Sequence, residues 1–265
     1  QLLPVLGEVR MWQLAFFVVG LPGLLVALLM LTVQEPARRG KAAGIGTGLP
    51  LRAVLAYMNS HRRLFVAHFT GFALLVVPIT TVLAWAPTYL SRVLGFARAE
   101  SGFALGLILL IVSPAAVYFG GWLIDLLQKR GRADAPFRVS IGAALAIIPL
   151  SLFATTGRDP VLALWLIGPL IFCACISQAA APTVIQVMVP NEMRAQISAV
   201  WMLCKNLIST IMGPTMVGFI TVYVLTDDMA VGTSIAIVNV LSAPIAALIL
   251  WTGLKFFRRA ADPGR

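Results

Sequence analysis

A chain of 265 residues that is 60% hydrophobic and only 11% charged, with a mean hydropathy of +0.94, lies outside the range of ordinary soluble domains. Its formal charge of +10 would suit a nucleic-acid binder only if the basic residues formed one face of a soluble fold, and they fall instead between long apolar runs. The composition defines a polytopic membrane protein, and no nucleic-acid partner is expected.

The chain begins at Gln1 with neither an initiator Met nor a signal-peptide pattern, as expected of the tail of a longer polypeptide, with residues 1 to 7 closing an earlier span. Seven apolar runs are long enough to cross a bilayer, at about 13–33, 64–90, 101–127, 137–156, 160–188, 195–225 and 231–257. With loops on alternating sides, the C-terminal side gathers Arg38, Arg39, Lys41, Arg52, Arg62, Arg63, Lys129, Arg130, Arg132, Arg138, Arg194, Lys255, Arg258, Arg259 and Arg265. The other side holds Arg10, Arg92, Arg98 and Arg158. This bias predicts a cytoplasmic C-terminus; the expected location is integral to the membrane, a bacterial inner (plasma) membrane.

After the first span, Gly40, Gly44, Gly46 and Gly48 predict a flexible linker running to Pro50. Leu51, Val54, Leu55 and Met58 then recur at helical spacing with Arg52, Asn59, Arg62 and Arg63 on other faces, which predicts a short amphipathic helix on the membrane surface. The chain therefore divides into residues 1–33, closing one bundle, a linker with an amphipathic helix at 34–63, and a six-helix bundle at 64–265. Split three and three, the last six spans pair Pro78 with Pro182, Pro114 with Pro214 and Pro149 with Pro244, an echo expected of inverted repeats.

Lys205 lies about ten residues into the sixth run, near the middle of a hydrocarbon core about 30 Å thick, where a charge costs roughly 2.5 to 3.5 kcal/mol. Every acid in the chain lies at a span end or in a loop. Lys205 must therefore face water, snorkel, meet an acid outside this chain, or meet an anionic substrate. Ser198, Met202, Lys205, Ser209 and Met212 make a semi-polar stripe, suited either to a cavity face or to helix packing. Gln178 and Asn206 fit both roles too, and Trp85 and Trp201 are the tryptophans that could face a cavity. His68, about four residues into its span, is read first as a packed or interfacial imidazole and second as a proton relay.

Cys173, Cys175 and Cys204 fall in apolar stretches and predict neither disulfides nor a metal site. With no Ser-His-Asp order, no Gly-rich phosphate loop and no carboxylate pair at depth, neither an enzyme nor a cofactor is expected.

Three stretches resemble the major facilitator superfamily. Gly120-Gly121-x-Leu123-x-Asp125, followed by Lys129-Arg130-Gly131-Arg132, resembles its cytoplasmic loop signature between the eighth and ninth helices. Trp12, Phe16, Gly20, Pro22-Gly23 and Glu35-Pro36-x-Arg38 resemble its sixth helix. Pro190-Asn191-Glu192-Met193-Arg194-Ala195-Gln196-x-Ser198-Ala199, with Asn206 and Gly213-Pro214, resembles its eleventh, most closely in spinster-like members. Gln13, Leu126 and Val222 depart from the pattern, which usually has Arg, a basic residue and Asp there.

The resemblance implies an all-α, polytopic major facilitator fold, here seven transmembrane helices of an expected twelve, working by alternating access between two halves. Spinster-like relatives move amphipathic lipids such as lysophospholipids, which implies an amphipathic or anionic substrate, proton coupling, and membrane lipids and a missing N-terminal helical half as partners. On this reading Lys205, Asn206, Ser209, Gln178, Thr81, Trp85, Trp201 and Met202 contact substrate. Gly121, Asp125, Arg130, Glu192 and Arg194 form a cytoplasmic conformational latch, with solvated surface charges as the alternative for the acids and Arg194. Other possible cargoes are an organic acid, a sugar or a drug; readings of a different class are a seven-helix receptor and a structural half-transporter.

Overall fold

A computed structural model of the chain describes residues 2–3, 7–8, 11–33 and 49–261. The linker glycines Gly40 to Gly48 and the Glu35-Pro36-x-Arg38 motif lie outside the described residues. The chain divides into two compact units, Gln1–Gly44 and Ile45–Arg265.

In the first unit β1 (Leu2–Leu3) pairs antiparallel with β2 (Gly7–Glu8), Leu2 opposite Glu8. Of residues 1 to 7, expected to close an earlier span, the described ones, 2–3 and 7, are extended. Helix α1 (Met11–Met30) follows, with Pro22 inside it. Its 20 residues extend about 30 Å, one bilayer core.

The second unit consists of helices joined by short turns among its described residues. After α2 (Leu51–Ser60) come α3 (Arg62–Arg92), α4 (Arg98–Lys129), α5 (Ala135–Thr156) and α6 (Pro160–Met188). Helix α7 (Asn191–Thr210) passes through a π-helical turn, Ile211–Thr215, into α8 (Met216–Phe219) and a second π turn, Ile220–Val224; α9 (Val231–Ala261) closes the unit. Among the described residues six helical stretches, the last two being Asn191–Val224 and Asp228–Arg258, are long and apolar enough to cross a membrane.

Local chemistry sets the helix ends. Asp159 accepts hydrogen bonds from the N–H groups of Val161 (2.9 Å) and Leu162 (3.1 Å), with Pro160 at the first helical position of α6. The Glu100 carboxylate accepts from the Ala97 N–H at 3.1 Å and opens α4. Helix α4 ends in a Schellman motif: the Arg132 N–H donates to the Leu127 carbonyl, the Gly131 N–H donates to that of Gln128, and Gly131 takes φ +79°.

Helix α3 is the pillar, packed against α9, α7 and α6, and its apolar window is 78% buried against 11% for α4. Small residues allow the close approaches. A Cβ on Gly71 would come within 2.7 Å of Leu250 on α9, and one on Gly120 within 3.1 Å of the Ile176 carbonyl on α6. Gly121, by contrast, faces open space. Buried polar pairs add specificity: Asn239 on α9 donates to Ser151 on α5 at 2.9 Å, and Thr221 to Ser234 at 2.7 Å.

Contacts also fix which ends share a side. Tyr89 donates to the Gly157 carbonyl (2.7 Å) and Arg92 meets Asp228 (3.7 Å), which gathers the α3–α4 turn, the α5–α6 turn and the start of α9. At the opposite end Asp134, in the α4–α5 turn, binds Arg258 near the end of α9.

Candidate functional site

Lys205 stands half-buried on α7 and makes no ion pair or hydrogen bond among the described residues. Met202 and Asn206, one turn apart beside it, are exposed. The stripe of α7 that carries Lys205 also packs on α3, because Trp201 and Ser209 lie one turn to either side of it. Trp201 is buried in an aromatic cluster, with ring centroids 4.9 Å from His68 and 5.7 Å from Phe69. Ser209 is buried too, and its carbonyl accepts from the Thr80 hydroxyl at 3.0 Å. The semi-polar stripe is therefore split: Ser209 is buried in the α3 contact, while Met202 and Met212 stay exposed.

Two further expected residues meet at the break in this helix. A Cβ on Gly213 would come within 2.6 Å of the Thr80 hydroxyl and 3.1 Å of that of Thr81, so only glycine lets α3 approach the π turn this closely. The Trp85 indole N–H donates to the Pro214 carbonyl at 2.9 Å, satisfying a backbone group within the break. Thr81 is fully buried and its hydroxyl has no partner among the described residues. Gln178 lies half-buried on α6, without a side-chain hydrogen bond among the described residues. His68 is buried, with Nε2 3.0 Å from the Ala181 carbonyl and Nδ1 without a partner among the described residues.

The residues expected to form a latch are dispersed. Asp125, Arg130 and Glu192 are exposed and form no ion pair among the described residues. Arg194 turns back onto the end of α6, donating to the carbonyls of Gln186 (2.8 Å) and Val189 (3.2 Å), where a cation suits the helix dipole. The Tyr57 hydroxyl donates to the neighbouring Met188 carbonyl at 2.7 Å, and burial raises its pKa.

The connected charge cluster on this side is one the sequence reading missed. Asp134 is buried; Oδ1 accepts from Arg138 Nε at 2.9 Å and Oδ2 from Arg258 Nε at 2.7 Å. Burial alone would raise its pKa, but the hydrogen bonds and charges of Arg138 and Arg258 prevail and hold the carboxyl below its usual value. The four-residue spacing of Asp134 and Arg138 was a visible signal; the third member, from a helix end far along the chain, was not.

Long apolar helices carrying internal prolines and packed through glycines, with a half-buried lysine that has no ion-pair partner among the described residues, are the architecture of a polytopic integral membrane protein. The family model of the Major Facilitator Superfamily matches residues 2–214, and the chain belongs to that superfamily. Two solved structures of a bacterial homologue of the human lysosomal transporter Spinster share the fold at 21% identity, each over 96% of this chain. The inward-facing, unoccupied form superposes with a TM-score of 0.62 and the inward-facing, occupied form with 0.57. The chain spans 60% and 58% of the length of those two proteins. The comparison with curated proteins finds no match.

Proposed function

We propose that residues 64–265 form the C-terminal bundle of a spinster-like secondary transporter, which moves an amphipathic, anionic solute by alternating access coupled to protons. The observation that carries this reading is Lys205, a half-buried cation on α7 without a counter-ion among the described residues. A cation held at that depth is offset most directly by an anionic group that arrives with the substrate. The exposed Met202 beside it suits an apolar tail, Asn206 suits a polar head, and superfamily membership supports transport as the class of activity. The C-terminus lies on the cytoplasmic side in this reading, on the strength of the basic-residue bias.

The test is uptake by the full-length transporter in liposomes, against lysophospholipids, organic acids, sugars and neutral drugs, with and without a proton gradient. Lys205→Ala should lower uptake of phosphate- or carboxylate-bearing substrates about ten- to a hundredfold, the scale of one charge-assisted hydrogen bond, with insertion unchanged. Lys205→Arg should retain part of it. Unchanged kinetics in Lys205→Ala would overturn the anion contact, and transport restricted to neutral solutes would overturn the substrate class.

A further inference from the structure

Away from Lys205, at the end of the bundle opposite the C-terminus, a recess of about 640 Å³ lies between the end of α3 and the start of α4, lined by Thr88, Ser91, Arg92, Arg98 and Ser101. The charged groups around it are unbalanced. Asp228 faces Arg92 at 3.7 Å and Glu100 is engaged on the Ala97 N–H, while Arg98 makes no ion pair among the described residues. One turn further along α4 a second cavity of about 670 Å³ opens between α4 and α6, walled by Ala104, Ile108, Val112, Leu164, Trp165 and Phe172.

Recess and groove share one face of α4, since Arg98, Ser101, Ala104, Ile108 and Val112 recur at three- and four-residue spacing. From Ala104 to Val112 the groove runs about 12 Å, close to the apolar depth of one leaflet, about 15 Å. A neighbouring helix or a solute of uniform polarity would match one of the two parts. A molecule with an anionic head at the interface and a hydrocarbon tail in the core matches both.

We propose that this face binds an anionic membrane phospholipid, its phosphate held by Arg92 and Arg98 and an acyl chain laid along the α4–α6 groove. Arginine suits the head because its planar fork meets phosphate oxygens two at a time. The site is separate from Lys205 and takes lipid from the leaflet at the α3–α4 turn, so it stands whether or not that lysine contacts a transported solute.

Trp165, 75% exposed in the groove, is a built-in reporter. The protein would be placed in nanodiscs of phosphatidylcholine containing either brominated phosphatidylglycerol or brominated phosphatidylcholine, and the Trp165 signal isolated by subtracting the spectrum of Trp165→Phe. The anionic brominated lipid is expected to quench Trp165 at several-fold lower mole fraction than the zwitterionic one. Arg92→Gln and Arg98→Gln should each reduce that preference about fivefold. Arg98→Gln removes no ion pair among the described residues, so its result stands even if loss of the Arg92 contact to Asp228 disturbs folding. Equal quenching by the two lipids would overturn the proposal in favour of an unselective lipid annulus. Absence of Trp165 quenching would overturn it in favour of a groove covered by protein, and a preference that survives both variants would overturn the role of the arginines.

Discussion

Asp134 ties three chain segments with one carboxylate: its own turn, the first turn of α5 through Arg138, and the end of α9 through Arg258. Its pKa is lowered in the folded protein, so its contribution is fully present above the unfolded value of about 3.9 and is lost as pH falls through the depressed folded value. Asp134→Asn should therefore destabilise the protein by about 1 to 2 kcal/mol near neutral pH, a figure reduced because both arginines are partly exposed. In thermal melts in detergent from pH 7 to pH 3, the gap between wild type and variant should close only below about pH 4. A different steric logic holds at Gly232, where a Cβ would overlap the Thr155 carbonyl oxygen and the Tyr89 ring. Because backbone has to move, Gly232→Ala should cost at least about 3 kcal/mol, read as a sharp fall in melting temperature or in folded yield. Gly121→Ala, which meets open space, should change neither.

At the scale of the element, α7 and its continuation show what hydropathy conveys and what it omits. Apolar length located the six membrane-length stretches among the described residues within a few residues, because about 20 apolar residues are needed to cross a bilayer whatever they pack against. Proline positions pointed to breaks, yet α1, α3, α4, α5, α6 and α9 continue through theirs, and among the described residues only Pro214 coincides with a π turn. The difference is made by neighbours: Gly213 admits α3, and Trp85 supplies a donor to the Pro214 carbonyl. Trp85→Phe keeps the ring and removes that donor, so it should cost about 1 kcal/mol and speed hydrogen exchange through Met216–Phe219 while sparing α5. The candidate residues were less legible for a related reason. The semi-polar stripe of α7 suited a cavity face and helix packing equally, so nothing in the sequence distinguished Trp201, buried against α3, from exposed Met202. Nor did it distinguish the exposed Asp125 from the buried Asp134.

For the whole molecule, the contacts assign turns to sides independently of the charge bias. In a background with Cys173, Cys175 and Cys204 replaced by alanine, single cysteines at Gly95 and Asp159 should react with an impermeant maleimide from one side of sealed vesicles. Those at Arg132 and Glu192 should react from the other, and labelling of Gly95 and Arg132 from the same side would contradict the bundle. Burial is distributed just as unevenly: α3 is enclosed while α4 and the stretch Asn191–Val224 are 11% and 22% buried. Amides of α3 should accordingly be the last to exchange in detergent. The attachments at the end of α6 also give the bundle a mechanical character. Leu49 is held by the Gln196 side chain at 2.9 Å, and Tyr57 and Arg194 grip adjoining carbonyls at Met188 and Val189. Tension arriving along the chain ahead of Leu49 is thus divided between α6 and α7, like a line made fast to two cleats, before it reaches the central pillar.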